Sequence, residues 1–382
     1  MKKLFIIAFV FSFIIYLLTS PGKTAHDYFT RLSASFLQGK YYLTENPPWL
    51  SELVPGPSGR FYVIQPPMPA ILALPFVFVF GKSFEQQFLA HILGAGLVVL
   101  TMALSYRIKK DKLLAVWSGL LVGFGSIVWY LASVGSVWYL GQVTVAFFLT
   151  AALVESFGKK RAILIGIFLG GAFLSRIHTI LSLPLFIFLL HSKKNLVGNL
   201  IYLGVGMIPF FLFNFGYNFV RFGTIFDKGY FLVPGIYSES WFSKGMLNIA
   251  YVPEHLKALF LMLPKFLPNP PYIEPSWYGL AIWITTPAFL LSLRASFKEN
   301  VVKLSWLSIF LIFILVALRG GTGWTQFGYR YAVDFYPILT FLTIKSISKT
   351  GLRQLHWLLL LVGIIVNLWG VIWINKFDWV SF

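Results

Sequence analysis

Residues Lys23 to Pro67 read KTAHDYFTRLSASFLQGKYYLTENPPWLSELVPGPSGRFYVIQPP. The segments on either side, Leu4 to Leu18 and Met68 to Phe80, are almost wholly apolar. The ionisable residues of the stretch include His26, Asp27, Arg31, Glu45, Glu52 and Arg60. A loop of this length inside an otherwise compact architecture is typically functional. We therefore take it as the segment around which the rest of the fold is arranged.

The composition indicates a membrane protein. Of the 382 residues, 58% are hydrophobic and 12% are charged, and the mean hydropathy is +0.77. A soluble domain carries about 25% charged residues, and the apolar residues here form long runs of the kind that cross a bilayer. The chain has no cysteine, which excludes disulfides, a thiolate nucleophile and cysteine metal sites.

The N-terminus fits either a signal peptide or an uncleaved anchor. Lys2 and Lys3 precede the apolar run, and Lys23 stands where cleavage before Ala25 would need a small residue. An uncleaved anchor is therefore favoured. By the positive-inside rule, the two lysines place the N-terminus in the cytoplasm and the loop that begins at Lys23 outside.

The proline-rich run Met68 to Phe80 is too short to cross a membrane, which takes about 20 residues. We predict that it forms a kinked juxtamembrane or re-entrant helix. The next full span, Phe84 to Tyr106, then runs inward to the basic cluster Arg107 to Lys112. Counting Met68 to Phe80 as a span would put that cluster outside, against the positive-inside rule.

The run Ala162 to Leu190 lies between two further basic clusters, Lys159 to Arg161 and Lys193-Lys194. One continuous helix would put these clusters on opposite sides of the membrane. A hairpin that breaks at Ser175 to His178 puts both inside, with its tip in a cavity below the outer surface. The hairpin is the preferred prediction.

The whole chain is thus predicted to be an all-α polytopic membrane protein with about 11 transmembrane helices plus juxtamembrane helices in the first outer loop. We expect one domain, 1–382, with outer loops 21–67, 216–275 and 319–331 and no separate soluble domain. The remaining predicted spans are Leu4–Leu18, Leu113–Leu131, Val143–Phe157, Leu196–Phe213, Trp277–Leu293, Val301–Leu318, Val333–Ile347 and Leu355–Ile374.

This topology accounts for the formal net charge of +18. The predicted cytoplasmic side holds 17 Lys and Arg residues against three acids, whereas ten of the thirteen acids lie on the outer side. The excess of positive charge follows the positive-inside rule. It is not evidence for nucleic acid, which we exclude as a partner.

Asp27 is singled out among the outer acids because it lies at the start of a predicted helix. The spacing of Phe29, Leu32 and Phe36 predicts an interfacial helix that ends near Gly39. Such a helix would hold Asp27 at the depth of lipid phosphates. Two interpretations stay open on spacing alone, a plain helix cap and a chemical role. The acids Glu45, Glu52, Glu239 and Asp378 are interpreted as solvated loop residues.

Three arginines lie near the outer face: Arg176 at the predicted hairpin tip, Arg319 at the end of a span and Arg330 in FGYRYAVDFYP. The planar guanidinium fork binds two phosphate oxygens at once. For Arg330, a structural pair with Asp334 is an equal alternative. His178 is more often a satisfied buried histidine than a catalyst.

Several function classes lack their sequence signals. The chain has no G-x-x-x-x-G-K-[ST] phosphate loop and no G-x-S-x-G motif, which argues against a nucleotide-driven pump and a serine hydrolase. The first loop has no paired acids of the D-x-D type, only His26-Asp27. We therefore expect no cofactor and no metal site, although a divalent metal ion is not excluded.

Five stretches, in this order, resemble the GT-C superfamily of membrane glycosyltransferases, and most closely its prokaryotic protein-mannosyltransferase-like branch. They are DYFTRLSASFLQGKYYL (27–43), GRFYVIQPPMPAILALPFVFVFG (59–81), FLSRIHTI (173–180), NFVRFGTIFDKGY (218–230) and FGYRYAVDFYPIL (327–339). Each stretch is short, but the ordered set covers most of the chain.

The resemblance implies a hexosyltransferase, mannosyltransferase-like, that works at the outer face of the cell (plasma or inner) membrane. The donor would be a polyprenyl-phosphate-linked sugar, and the acceptor a hydroxyl of a protein, glycan or lipid. Asp27 would be the general base, and Arg330, Arg176 and Arg319 would bind the donor phosphate. The candidates for supporting roles are His26, His178, Tyr329 and Asp334.

A transporter or flippase of lipid-linked sugar intermediates is the alternative. Transporters typically show internal repeats and ionisable residues at the membrane midplane. This chain shows no internal repeat, and its charged residues cluster at one predicted face. The pattern favours the enzyme, and a non-catalytic scaffold is a third interpretation.

Overall fold

A computed structural model describes residues 1–191, 195–323 and 325–380. Within these ranges the regular secondary structure is helical apart from two short hairpins. The helices are α1 Lys2–Thr19, α2 Tyr28–Leu37, α3 Met68–Phe80, α4 Gln87–Ile108, α5 Lys112–Gly123, α6 Val128–Val134, α7 Val137–Ser156, α8 Ala162–Ser175, α9 Leu183–His191, α10 Leu196–Phe222, α11 Val252–Phe260, α12 Ile282–Thr285, α13 Asn300–Ala317, α14 Tyr336–Thr350 and α15 Gln354–Asn375. The antiparallel hairpins pair β1 Leu53–Pro55 with β2 Phe61–Val63, and β3 Lys265–Phe266 with β4 Ile273–Glu274.

The chain is an all-helical polytopic membrane protein, as predicted. Six helices of the described chain are long and apolar enough to cross a bilayer: α1, α4, α7, α10, α13 and α15. The pair α5 and α6, bent by 57°, makes a seventh. The other four of the eleven predicted spans are shorter segments, at 162–175, 177–191, 282–294 and 336–350.

Two short features occur where the apolar pattern predicts them. The helix α3 has the predicted bounds and contains Pro75. The helix α8 ends at Ser175, because Arg176 takes an extended conformation with φ −153° and ψ 103°. A 3₁₀ segment, Ile177–Ser182, then leads into α9. The predicted break at this point is confirmed, whereas the cluster Lys193-Lys194, which argued for a hairpin, lies outside the described residues.

Two helix bounds differ from the predicted ones. The helix α7 starts at Val137 instead of Val143, directly after a turn in which Gly135 has a φ of +60°. The helix α10 continues past Phe213 to Phe222, since Pro209 does not interrupt it and Gly223, with a φ of +68°, ends it. The early start of α7 places its first turn among the outer segments.

The core of the bundle lies around α7. In the most apolar 18-residue stretch of this helix 89% of the residues are buried, whereas in the corresponding stretches of α1 and α10 only 17% are buried. The helix α10 packs closely on α8. A Cβ atom added to Gly166 would lie 2.1 Å from the carbonyl oxygen of Leu203, and one added to Gly206 would lie 2.3 Å from that of Ile163. Glycine at both positions therefore permits the close helix contact.

The first outer loop folds back on itself through β1 and β2. Their register pairs Leu53 with Val63, so the residues that flank the hairpin, Glu52 and Gln65, come close together. The loop also packs on the bundle, since Tyr28 at the start of α2 is fully buried and its hydroxyl oxygen accepts the backbone N–H of Glu52 at 3.0 Å. This hairpin positions the acid that is described next.

Candidate functional site

A polar cavity of 260 Å³ lies where the segments that are predicted to be outside the membrane meet. The first loop, the start of α7, the break after α8, the segment between α10 and α12, and the turn after α13 all contribute to its wall. Its charged and aromatic lining includes Glu52, Trp138, Tyr139, Arg176, Tyr230, Glu239, Trp241, Tyr278, Arg319, Arg330 and Tyr331. We call it the central cavity.

A second, more apolar cavity of 290 Å³ adjoins the central cavity. The two share Trp138, Arg176, Tyr230, Arg319 and Tyr331. The apolar cavity is lined in addition by carbon-rich side chains of several elements: Phe29, Ile64, Val137, Phe231, Met246, Leu247, Leu315 and Val316. A ligand with a polar head and a hydrocarbon tail would fit across the shared wall.

Glu52 is the acid held most firmly against the central cavity. The indole Nε1–H of Trp138 donates to its Oε2 at 2.9 Å, and the side-chain amide of Gln65 donates to the same oxygen. Its Oε1 has no hydrogen-bond donor among the described residues. Burial raises the pKa of Glu52, although Arg319, Arg330 and the two hydrogen bonds act in the opposite direction. A carboxyl group with one free oxygen and a raised pKa suits proton transfer near neutral pH.

Arg319 and Arg330 lie at the same cavity without an acidic partner. Within the described ranges, no carboxylate comes within 4.0 Å of either guanidinium group, and each Nε is buried without a hydrogen-bond acceptor. Their contacts are with aromatic rings: Arg319 lies 3.9 Å from the ring centre of Tyr230, and Arg330 lies 4.9 Å from that of Tyr331. Buried cations in this state attract an anion into the cavity.

Arg176 is held by Asp334 instead. Its Nη2 lies 3.0 Å from Oδ2 of Asp334, and Nε2 of His178 lies 2.7 Å from the same oxygen. The alternative sequence interpretation paired Asp334 with Arg330, and the described structure has no such ion pair. Arg176 still lines both cavities, but its charge is partly balanced.

The pKa of Tyr331 reflects the positive charge of Arg176, Arg319 and Arg330. Burial acts to raise the pKa of its phenol, but Arg319, Arg330 and Arg176 act against burial and hold that pKa below its usual value. The pKa of Tyr230, which also faces Glu52, is raised to about 12 because burial dominates. The field at Tyr331 therefore favours negative charge in the cavity.

Gln326 and an isolated β-bridge shape the turn that carries Arg319 and Arg330. The amide nitrogen of Gln326 donates to the carbonyl oxygens of Tyr278 at 2.8 Å and Gly323 at 2.9 Å, while its Oε1 accepts the backbone N–H of Arg330 at 3.3 Å. An isolated β-bridge between Leu247 and Arg319 ties the same turn to the segment after α10.

His255, on α11, connects the predicted residues Tyr329 and Arg319. Its Nε2 lies 2.9 Å from the backbone carbonyl oxygen of Arg319, which can only accept, so Nε2 carries the proton. Its Nδ1 therefore accepts the hydroxyl of Tyr329 at 2.7 Å. Burial lowers the pKa of His255 to about 4, which fits the neutral ring that these contacts need.

Asp27 lines neither cavity. It is the N-cap residue of α2, as predicted, but its side chain makes no capping hydrogen bond. Instead, its Oδ1 pairs with Nε of Arg31 at 2.7 Å, and Arg31 pairs with Glu45 at 2.8 Å, which in turn contacts Lys82. We call these four residues the rim network.

The other predicted site residues, His26, His178 and Asp334, lie at or next to the walls of the central and apolar cavities. The ring of His26 packs on Trp138 with 4.7 Å between ring centres, which places it behind the wall that carries Glu52. His178 lines the apolar cavity, and Asp334 lies beneath Arg176. The sequence pattern predicted that Glu52 is a solvated loop acid, but Glu52 lines the central cavity. The pattern gave no signal for Gln65, Trp138, Tyr230, His255 and Gln326, whose contacts join separate segments of the chain.

Metal ligands are not clustered in the described parts of the chain. No group of three or more His, Asp or Glu side chains there is placed to hold a metal ion. The expectation that the protein needs no metal stays a prediction.

The fold is similar to that of ArnT from Cupriavidus metallidurans. The crystal structure of ArnT bound to undecaprenyl phosphate matches with a TM-score of 0.57 and 13% sequence identity, and covers 96% of this chain and 63% of that chain. The crystal structure of the apo state matches with a TM-score of 0.56 and 12% identity, and covers 95% and 62% of the two chains. The protein therefore has the fold of ArnT, a GT-C glycosyltransferase, and the resemblance implied a fold of this kind.

The similarity to ArnT covers only part of that protein and does not extend to high sequence identity. The chain spans somewhat less than two thirds of the length of ArnT. No protein-family model and no curated protein matches it. At this level of identity the comparison concerns the fold, and the protein-mannosyltransferase-like branch stays a prediction.

Proposed function

We propose that the protein is a membrane glycosyltransferase that moves a sugar from a polyprenyl-phosphate donor to an acceptor hydroxyl, with the central cavity as its active site. One observation supports this most directly. Arg319 and Arg330 face the cavity with no carboxylate within 4.0 Å in the described structure, and Glu52 faces the same space. The GT-C fold, which ArnT shows in a structure bound to undecaprenyl phosphate, supports the donor class.

Glu52 acts as the general base in this proposal. A sugar hydroxyl is a weak nucleophile at neutral pH, so a carboxylate must take its proton as the new bond forms, which accelerates such reactions by about 10²–10⁴-fold. Oε2 is fixed by Trp138 and Gln65, so Oε1 accepts the proton. The acceptor oxygen bonds to the anomeric carbon, and attack from the face opposite the phosphate inverts that carbon.

The leaving group is the polyprenyl phosphate. As the bond between the anomeric carbon and the phosphate oxygen breaks, that oxygen takes the bonding electron pair and gains negative charge. Arg319 and Arg330 stabilise this charge from fixed positions in the cavity wall. Arg176 contributes less, because Asp334 already pairs with it. The prenyl chain lies in the apolar cavity and continues into lipid. The site lies at the outer face of the cell membrane.

Asp27 has a different place in this proposal from the one that the resemblance implied. Its carboxylate is paired with Arg31 and lies outside the cavity lining. We therefore assign the base to Glu52 and a supporting role to the rim network, which anchors α2 next to the hairpin of the first loop.

The test is transfer of labelled sugar from a pool of polyprenyl-phosphate sugars by the full chain in membrane vesicles. The wild type should transfer label, Glu52→Gln should lose it, and Asp27→Asn should keep it. Binding of undecaprenyl phosphate by all three proteins shows that the variants are folded. Binding without any transfer by the wild type would favour the transporter alternative.

Orientation is tested separately with introduced cysteines, since the chain has none of its own. Asp27→Cys should react with a membrane-impermeant thiol reagent added outside intact cells. Lys110→Cys should react only after the cells are opened. The reverse pattern would place the central cavity on the cytoplasmic side and contradict the proposed orientation.

A further inference from the structure

A third cavity of 440 Å³, larger than the other two, has no part in the donor site. It lies on the outer segments and is lined by Ser240, Trp241, Ser243, Lys244, Tyr251, Glu254, Lys257, Ala258, Met262, Tyr278 and Thr322. Lys244, Glu254 and Lys257 are exposed, so the cavity opens to water. We call it the outer cavity.

The outer cavity adjoins the central cavity through one wall. Trp241, Tyr278 and Thr322 line both. The apolar cavity borders the central cavity through a different set of residues, of which Trp138 and Arg319 are two. The three cavities therefore follow one another, with Glu52 and the arginines in the middle one. A molecule that enters from water through the outer cavity reaches the reacting groups through a different wall from the prenyl chain.

The walls of the outer cavity suit a sugar ring. Trp241 and Tyr278 lie 6.5 Å apart between ring centres, at an interplanar angle of 77°, and so offer two apolar faces at a corner. Aromatic faces pack against the C–H faces of sugar rings, while hydroxyl groups bind sugar hydroxyls. Ser240, Ser243 and Thr322 supply such hydroxyl groups on the same lining.

The charge of the outer cavity favours an anion. Lys244 and Lys257 both line it, and in the described ranges no carboxylate lies within 4.0 Å of either ammonium group. Glu254 is the acid on the same lining, so two positive charges face one negative charge. The neighbouring arginines Arg319 and Arg330 add to the positive potential from behind the shared wall.

We infer that the outer cavity binds the acceptor, and that the acceptor is an anionic saccharide. This inference rests on the proposed function for its link to transfer, but the binding itself does not depend on the donor. An acidic or phosphorylated sugar would set its ring against Trp241 and Tyr278 and its negative group near Lys244 and Lys257. A hydroxyl of the same sugar would then point through the shared wall toward Glu52.

The test measures binding to the full chain in lipid nanodiscs. The soluble probe is tetragalacturonic acid, with neutral cellotetraose for comparison, both followed by titration calorimetry. A second arm uses glucuronosyl diacylglycerol in the nanodisc, followed by native mass spectrometry, because the anionic sugar could be soluble or borne by a lipid. Tighter binding of either acidic probe than of its neutral counterpart, cellotetraose or glucosyl diacylglycerol, is the expected result.

The charge-removing variant is Lys244→Ala/Lys257→Ala, and its matched control is Lys23→Ala/Lys228→Ala. The control removes two exposed lysines of the outer segments that line none of the three cavities. The first variant should weaken the binding of the acidic probe by about tenfold, as for two exposed charge contacts. The control should change it by less than about twofold, since distant exposed charges are screened.

The outcomes separate the two proposals. Equal affinity for acidic and neutral probes, binding of neither acidic probe, or no effect of Lys244→Ala/Lys257→Ala would overturn the inference. Undecaprenyl phosphate should bind the wild type and this variant equally. A wild type that does not bind undecaprenyl phosphate would contradict the proposed function and leave the saccharide result standing.

Discussion

Two acidic residues of the same outer loop have opposite surroundings. Asp27 belongs to the rim network, in which Arg31 pairs with its carboxylate and also with Glu45, and Lys82 pairs with Glu45. Glu52 is held by Trp138 and Gln65 through one oxygen and faces a cavity in which Arg319 and Arg330 have no carboxylate partner among the described residues. In the proposed mechanism, position near a helix end is therefore not what makes an acid reactive. An acid becomes reactive when its charge is incompletely satisfied in a confined space.

The largest difference between the two acids should appear when each is neutralised. Glu52→Gln keeps the shape of the side chain but removes its ability to take a proton. Transfer of labelled sugar should fall by about 10²–10⁴-fold, with undecaprenyl phosphate still bound. Asp27→Asn should keep the wild-type rate within about threefold. If Asp27→Asn lost transfer and Glu52→Gln kept it, Asp27 and not Glu52 would be the general base.

The next largest effect concerns the cations that face Glu52. In the proposed site, Arg319→Gln and Arg330→Gln would each remove a charge-assisted contact to the donor phosphate. The dissociation constant for undecaprenyl phosphate should rise by about 10–100-fold in each. Arg176→Gln should have a smaller effect, because Asp334 pairs with Arg176.

Arg60→Gln is the control for these arginine variants. Arg60 lies in the first loop over the ring of Tyr42, away from the three cavities, and its loss should leave the binding of undecaprenyl phosphate unchanged. Equal effects of Arg60→Gln and Arg330→Gln would mean that binding follows overall charge and not the central cavity.

The pH dependence of transfer should distinguish Glu52 from a carboxylate with an ordinary pKa. Glu52 must be ionised to accept a proton, and burial raises its pKa, so the rate should decline on the acid side at a higher pH than an ordinary carboxylate allows. Trp138→Phe removes a hydrogen bond that favours the ionised form. The acid limb of kcat/KM should therefore move to higher pH by roughly half a unit to one unit. An acid limb that moves to lower pH would contradict the role of Glu52.

The smallest effect is expected at the rim network. Asp27→Asn breaks the pair with Arg31 at a partly exposed site, which costs about 1 kcal/mol of folding stability. The thermal midpoint in detergent should fall by no more than about 2 °C. A large loss of stability together with a loss of transfer would show that the network also holds the hairpin of the first loop in place.

Much of the fold follows from the apolar pattern. The pattern predicts the bounds of α3 and the break at Arg176, because a short run with prolines or with an arginine at its centre cannot form a full span. It also selects the three arginines Arg176, Arg319 and Arg330, since burying a cation is costly without a role for it. Helix ends that depend on packing differ, as at Val137 and Phe222.

The sequence alone therefore indicated a helical membrane protein with Arg176, Arg319 and Arg330 near one predicted face, because hydrophobic length and the cost of buried charge can be judged residue by residue. Only the tertiary structure decided which acid faces those arginines. The β1–β2 register brings Gln65 to Glu52, and α7 brings Trp138 to it from 86 residues away. Contacts over such separations leave no local pattern, so an acid that ends in a cavity has the same sequence context as one that ends in water.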